Sequence, residues 1–244
     1  MIDLRNLTKL FGDIVAVNRL NLSVTEGEIF GFIGPNGAGK TTTLRMMGGV
    51  LAPTEGSVII DGIDMSAEPE KAKKRIGFIP DRPFLYEKLT GMEFLRFTAD
   101  LYGIGDGEFH EKSEKILKQF SLYHWADELV ESYSHGMKQR LIISAAILHD
   151  PKLIVVDEPM VGLDPAGTRM VKSLFRDLAK KGTTIFMSTH TLAVAEDVCD
   201  RIGIIHKGSL IATGTVEELM LRAQVREGDL EEVFMILTEG ESVP

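Results

Sequence analysis

The sequence predicts an α/β fold, in which a parallel sheet with helices is preceded by antiparallel strands and interrupted by a helical block. Three observations carry the prediction. The apolar run Glu28-Ile29-Phe30-Gly31-Phe32-Ile33 leads into Gly34-Pro35-Asn36-Gly37-Ala38-Gly39-Lys40-Thr41-Thr42 and on into Thr43-Leu44-Arg45-Met46-Met47. That is a strand, a glycine-rich loop and a helix in succession. Leu153-Ile154-Val155-Val156 is a continuous apolar run ending in Asp157-Glu158, as a strand buried on both faces reads. Between them, from about Pro83 to His149, the period becomes helical.

The elements follow in order. Ile2 to Leu7, Ile14 to Val17 and Leu20 to Val24 alternate apolar and polar residues, as half-buried antiparallel strands do. Glu26-Gly27 turns the chain ahead of the loop-bearing strand. Gly56 to Gly62 is a strand and turn, and Arg75 to Ile79 is a strand that Pro80 ends. Thr90 and Glu93 form a capping box, with Met92, Leu95, Ala99 and Tyr102 behind it at helical spacing. Gly103 to Gly107 breaks that helix, Glu111 to Phe120 is a charged amphipathic one, and Ser134 opens a third that runs to about His149. After the strand at Leu153, Asp164-Pro165 is an N-cap followed by a first-turn proline, starting a helix to about Lys181. Thr183 to Met187, Arg201 to Ile205 and Ser209 to Ala212 are strands. Thr215 with Glu218, and Asp229 with Glu232, cap two closing helices. There is no internal repeat and no low-complexity linker, so the helical block reads as an insertion in an α/β core.

Composition bounds the function. A chain of 244 residues buries a sizeable core. With 27 Lys and Arg against 36 Asp and Glu the formal net charge is −9, which argues against a nucleic-acid surface. Cys199 is the one cysteine, so an internal disulfide is impossible, and a reducing cytoplasm is expected. Met1 to Arg5 is not the start of a signal peptide. The longest apolar candidate, Leu141 to Leu148, falls far short of the roughly 18–20 residues of a spanning helix. If the protein acts at a membrane, another chain must supply the span.

The loop has the P-loop spacing: Gly34, four residues, then Gly39-Lys40-Thr41. Glycines let successive N–H groups point at phosphate oxygens, and the helix that follows presents its positive end to the same anion. Lys40 is expected between the β- and γ-phosphates of a nucleoside triphosphate, and the Thr41 hydroxyl on Mg²⁺. An ordinary Gly-rich turn is the alternative; the flanking strand and helix argue against it. Asp157 and Glu158 end a buried strand, where open α/β sheets bind ligands. Asp157 is expected to help hold Mg²⁺ or its waters, and Glu158 to orient and deprotonate the attacking water; an acidic strand end facing solvent is the alternative. Ser188-Thr189-His190 follows a third apolar strand. A histidine there is usually structural, but beside a γ-phosphate His190 is expected to bond it and the water.

Together these motifs resemble the ATP-binding subunits of ABC transporters, over about Met1 to Leu237. The resemblance rests on five motifs in the family's order: the P-loop, Tyr133-Ser134-His135-Gly136-Met137-Lys138-Gln139-Arg140, Asp157-Glu158, Gly162-Leu163-Asp164, and His190. It implies a P-loop NTPase fold, with a RecA-like core, an N-terminal antiparallel β subdomain and an inserted α-helical signature subdomain. As one domain over 1–237, the core takes about 1–82 and 151–228 and the helical subdomain about 83–150; 229–244 is a C-terminal helix and tail. It also implies that Phe11 stacks on adenine, unless it is a core phenylalanine. Ser134, His135 and Gly136 would reach the γ-phosphate held by a second nucleotide-binding subunit, homodimeric or heterodimeric, and Asp164 would link the two sites. ATP and Mg²⁺ are the implied cofactors.

Two departures stand out. Where the family usually has Leu-Ser-Gly-Gly-Gln, this chain has Tyr133-Ser134-His135-Gly136-Met137, and the usual glutamine after Pro80 is Asp81. Asp81 can still accept a hydrogen bond from a metal-bound water. Both variants, and the ending Leu230 to Phe234, look like those of bacterial exporters whose ATPase and membrane permease are separate chains. Pro83 to Thr90 falls where the family docks that permease, with Phe84, Leu85 and Tyr86 as anchors; a satellite core under a loop is the alternative. The implied location is the cytoplasmic face of the cell membrane. The rival readings are a soluble ABC-type ATPase of translation or DNA repair, and a regulatory ATP-binding subunit paired with a more active one.

Overall fold

The computed structural model describes residues 1–81, 84–225 and 228–239. Pro83 of the expected docking stretch and residues 240–244 of the expected tail lie outside them. In chain order the strands are β1 (Ile2–Phe11), β2 (Ile14–Val24), β3 (Ile29–Ile33), β4 (Glu55–Ile60), β5 (Ile63–Asp64), β6 (Ile76–Ile79), β7 (Leu153–Asp157), β8 (Thr184–Thr189), β9 (Arg201–His206) and β10 (Ser209–Gly214). The helices are α1 (Lys40–Met47), α2 (Pro69–Lys73), α3 (Gly91–Tyr102), α4 (Asp106–Gln119), α5 (His135–Ile147), α6 (Pro165–Lys180), α7 (Leu192–Val198), α8 (Val216–Ala223) and α9 (Leu230–Glu239).

The strands form two sheets. One is antiparallel in the order β2-β1-β4-β5; the other runs β10-β9-β3-β8-β7-β6. In the second, β3 pairs parallel with β8 and β9, and β7 with β6 and β8, while β10 closes the edge antiparallel to β9. The expected pair of strands at Ile14–Val17 and Leu20–Val24 is a single strand. Its register with β1 slips between Leu4 and Leu7, Leu7 and Lys9, and Lys9 and Leu10. Arg19 sits at φ 43 and Asn6 at φ 48. Left-handed residues of this kind accommodate an irregularity without ending the ladder, and the broken alternation is what makes one strand look like two.

Strand alternation explains how the parallel sheet is covered on both faces. Ile154, Val156, Ile185 and Met187 join a core cluster with the helical block, including Leu95, Phe109, Leu117 and Leu141. The intervening Leu153, Val155 and Phe186 join α1 and the antiparallel sheet through Leu44, Met46, Leu4 and Val58. A third cluster packs Ile202 and Ile204 against Leu219, Leu230 and Val233. The parallel strands are therefore buried on both sides, which is why they read as continuous apolar runs.

Helix starts match their chemistry. The Thr90 side chain accepts from Glu93 N at 3.1 Å and Glu93 Oε2 accepts from Thr90 N at 2.8 Å, so the capping box is complete. Ser134 Oγ accepts from Met137 N at 3.3 Å at the start of α5, and Asp164 Oδ1 from Gly167 N at 2.7 Å at the start of α6. The second helix of the block differs from expectation: it begins at Asp106, not Glu111. Gly103 ends α3 at φ 75 and Gly105 caps α4, so Gly107 falls in the first turn. There the backbone N–H groups lack helical partners in any case, so the glycine does not stop the helix.

Candidate functional site

The carboxyl ends of β3, β7 and β8 meet at one place. The loop after β3 curls around Lys40, whose ammonium donates to Gly34 O at 2.6 Å and Pro35 O at 3.1 Å. Gly37 and Gly39 hold φ 79 and φ 109, conformations that a side chain would strain. A Cβ on Gly39 would lie 2.5 Å from Ala16 O, so β2 presses directly on the loop. Gly39 is also the N-cap of α1, which leaves the N–H groups of Lys40, Thr41 and Thr42 directed at whatever the loop holds. Burial pushes the Lys40 ammonium below its ordinary range, and the carboxylates of Glu158 and Asp157 oppose that shift. Gly34 and Ala38 are buried, and Pro35, Asn36 and Gly37 are open to solvent.

Asp157, 3% exposed, ends β7. Its Oδ2 accepts from Thr41 Oγ1 at 2.7 Å, and its Oδ1 from the Ser188 hydroxyl at the end of β8. Thr41, Asp157 and Asp81 border one cavity of about 340 Å³ with Arg45 on its rim. This donor set is all oxygen, which suits a hard cation such as Mg²⁺. Among the described residues no three His, Cys, Asp or Glu side chains converge on one point. The remaining ligands of such a cation would be phosphate oxygens and waters.

Glu158 follows with φ 51, a left-handed conformation that costs a residue with a Cβ of the order of 1–3 kcal/mol. The surroundings hold it there. Glu158 N donates to Ser188 O at 3.0 Å. The carboxylate takes the His190 N–H at 2.9 Å and the His190 ring at 2.7 Å on Oε1, and the Thr189 hydroxyl at 3.1 Å on Oε2. A carboxylate only accepts, so His190 Nδ1 is the donor and Nε2 remains free for another group. The Glu158 side chain is 13% exposed and that of His190 60%. A screened carboxylate thus sits at the rim of the site with an accessible imidazole fastened to it.

The remaining expected residues divide in two. Phe11 ends β1, paired with Ile14, and is 49% exposed, so the core-phenylalanine alternative fails. Lys9 lies over its ring, with Nζ 5.3 Å from the centroid. The same hairpin brings Ala16 to the P-loop residues. Ser134, His135 and Asp164 are exposed and Gly136 partly so. They group at the start of α5 and the adjoining loop, and have no hydrogen bond to the P-loop. Sequence reasoning missed Ser188 and Thr189 as partners of the two carboxylates. Their signal was a polar pair closing an apolar strand: β8 runs through Thr189, so both belong to the strand end.

A phosphate-cradling loop, a hydroxyl-bonded aspartate and a screened glutamate at the ends of parallel strands define a P-loop nucleoside triphosphatase. The ABC transporter family model matches residues 17–161. The linearmycin resistance ATP-binding protein LnrL of Bacillus subtilis is 35% identical over 242 residues, 97% of this chain and 78% of that protein. The bacitracin transport ATP-binding protein BcrA of Enterococcus faecalis is 40% identical over 91% of this chain and 71% of its own length. A solved ATP-binding subunit of an ABC transporter superposes with TM-score 0.92 at 32% identity, over 97% of this chain and 99% of that one. A dimeric ATP-binding cassette in a post-hydrolysis state with ADP and Pi gives TM-score 0.79 at 29% identity, over 88% and 98%. The chain belongs to the ABC transporter family, as an ATP-binding subunit with ATPase activity.

Proposed function

We propose that this chain hydrolyses ATP to drive a separate membrane permease, in the direction of export. The carrying observation is the network in which Glu158 is bonded by Thr189 and twice by His190, beside Lys40 and Asp157. ATP lies with its phosphates in Gly34 to Thr42 and its base on Phe11. Glu158 takes the proton of the attacking water, His190 with both ring nitrogens protonated donates its Nε2–H toward the γ-phosphate and the oxygen of that water, and Lys40 steadies the charge that develops. Mg²⁺, held by Thr41, Asp157 and Asp81, would neutralise charge on the β- and γ-phosphates.

Exposed Ser134, His135 and Asp164, with the half-buried Gly136 among them, fit a role toward a second nucleotide-binding subunit, where the start of α5 meets that subunit's γ-phosphate. A groove of about 860 Å³ lined by Phe84, Leu85, Tyr86 and Phe97 fits the permease. Among the described residues no helix is long and apolar enough to cross a membrane, and a peripheral position at the cytoplasmic membrane face follows from the partnership. The division into a core of about 1–82 and 151–228 and a helical subdomain of about 83–150 is part of this reading. The names of LnrL and BcrA, proteins of linearmycin resistance and bacitracin transport, favour export.

Phosphate release by the purified chain and its Glu158→Gln variant tests the reading. The variant is expected to bind ATP as the natural chain does and to lose about 10²–10⁴ in kcat, the usual contribution of a general base. Turnover within about threefold of the natural chain would remove Glu158 from the role.

A further inference from the structure

His135 occupies a position that is glycine in the family's usual signature, and its ring has a specific place. It closes over Gly162 in the loop between β7 and α6, so a Cβ built on Gly162 would overlap Cδ2 and Nε2 of the imidazole. Gly162 also holds φ 78, so the backbone conformation disfavours a side chain there, and a side chain would in addition displace the His135 ring from its place. From the next residue of α5, a Cβ on Gly136 would touch Gly162 O at 3.5 Å. The loop has few ties of its own. Val161 N donates to Glu158 O at 3.2 Å and Leu163 N to Met160 O at 3.3 Å, both within the loop. Met160 and Leu163 pack inward on the core, whereas Val161, Gly162 and Asp164 are exposed. The segment begins at Glu158 and ends at Asp164, the N-cap of α6.

We infer that His135 is a positioning residue for this loop: its ring, seated on Gly162, holds residues 159–163 and with them the backbone of Glu158. A mobile tip would let the left-handed Glu158 relax toward an unstrained conformation and swing its carboxylate off Thr189 and His190. The ring thereby does within one chain what the smaller glycine cannot, fastening the helical block to the loop that follows the catalytic strand. Loop order can be read without ATP, whereas its effect on turnover rests on the proposed role of Glu158.

Hydrogen exchange of the full nucleotide-free chain tests this, comparing His135→Gly and His135→Gln with the natural protein. His135→Gly is expected to speed exchange at amides 160–163 about tenfold or more, with amides in the second half of α5 and in α6 unchanged. It is expected to lower kcat about tenfold with KM for ATP within twofold, and His135→Gln to recover part of both. Gly162→Ala gives an independent measure. It meets the ring and the backbone strain in the natural chain but only the strain beside His135→Gly, so its loss of stability is smaller in the second background. Unchanged exchange at 160–163 in His135→Gly, or additive effects of the two substitutions, would overturn the contact. Faster exchange with kcat intact would overturn the positioning role. Full activity of Glu158→Gln would instead remove the catalytic reading and leave the exchange result standing.

Discussion

At the scale of single residues the site works by opposing pressures. Lys40 donates to two carbonyls in a buried position, and that burial lowers its proton affinity, which Glu158 and Asp157 only partly offset. A triphosphate arriving between Lys40 and these carboxylates would add negative charge where an ammonium is already poised. Lys40→Ala removes that charge and is expected to weaken ATP binding by about 1.5–3 kcal/mol, the range for a hydrogen bond to a charged group. Calorimetric titration checks this, and an unchanged Kd would contradict it. The P-loop, Asp157, Glu158 and His190 were legible in the sequence because spacing and strand ends place them without knowledge of the fold. Ser188 and Thr189 were not, since their partners lie across neighbouring strands and only the pairing of β7 with β8 brings them together.

At the scale of elements the helical block is tied to the sheet through an aromatic joint. His149, just past α5, stacks on Tyr102 at the end of α3, with ring centroids 3.6 Å apart and planes 11° from parallel. Its Nε2 donates to Ile76 O in β6 at 3.2 Å, and its Nδ1 is buried without a partner. Burial lowers the His149 pKa from 6.5 to about 4; the Ile76 carbonyl and Asp150 oppose that shift and Lys112 adds to it. The folded chain therefore keeps the ring neutral while the unfolded chain protonates it below pH 6.5. Stability from this residue is full above pH 6.5, falls as the pH drops toward 4, and levels off below that, by up to about 3 kcal/mol. His149→Phe, which keeps a ring for Tyr102, is expected to flatten the urea stability profile between pH 6.5 and 4.5. Equal slopes in both proteins would contradict this. The sequence offered no hint of this joint, because a histidine in an apolar helix end acquires meaning only from what packs on it. Helices α2 and α7 also went unread: with five and seven residues, they are too short for periodicity to show. The capping boxes at Thr90 and Thr215 were readable because their chemistry is local.

At the scale of the whole molecule the site is divided. The proposed phosphate loop and the residues Ser134, His135 and Gly136 share no hydrogen bond within the chain, and each lies at the start of a helix, where backbone N–H groups lack helical partners. Two copies face to face would bring each α5 start to the other's phosphate, so that ATP itself completes the interface. Hydrolysis by Glu158 would then open it, and cycles of closure and opening would work a membrane partner. Sedimentation velocity of the Glu158→Gln protein with ATP and Mg²⁺ tests this most directly. A dimer that retains ATP and reverts to monomer on nucleotide removal is predicted; a monomer at saturating ATP would contradict it.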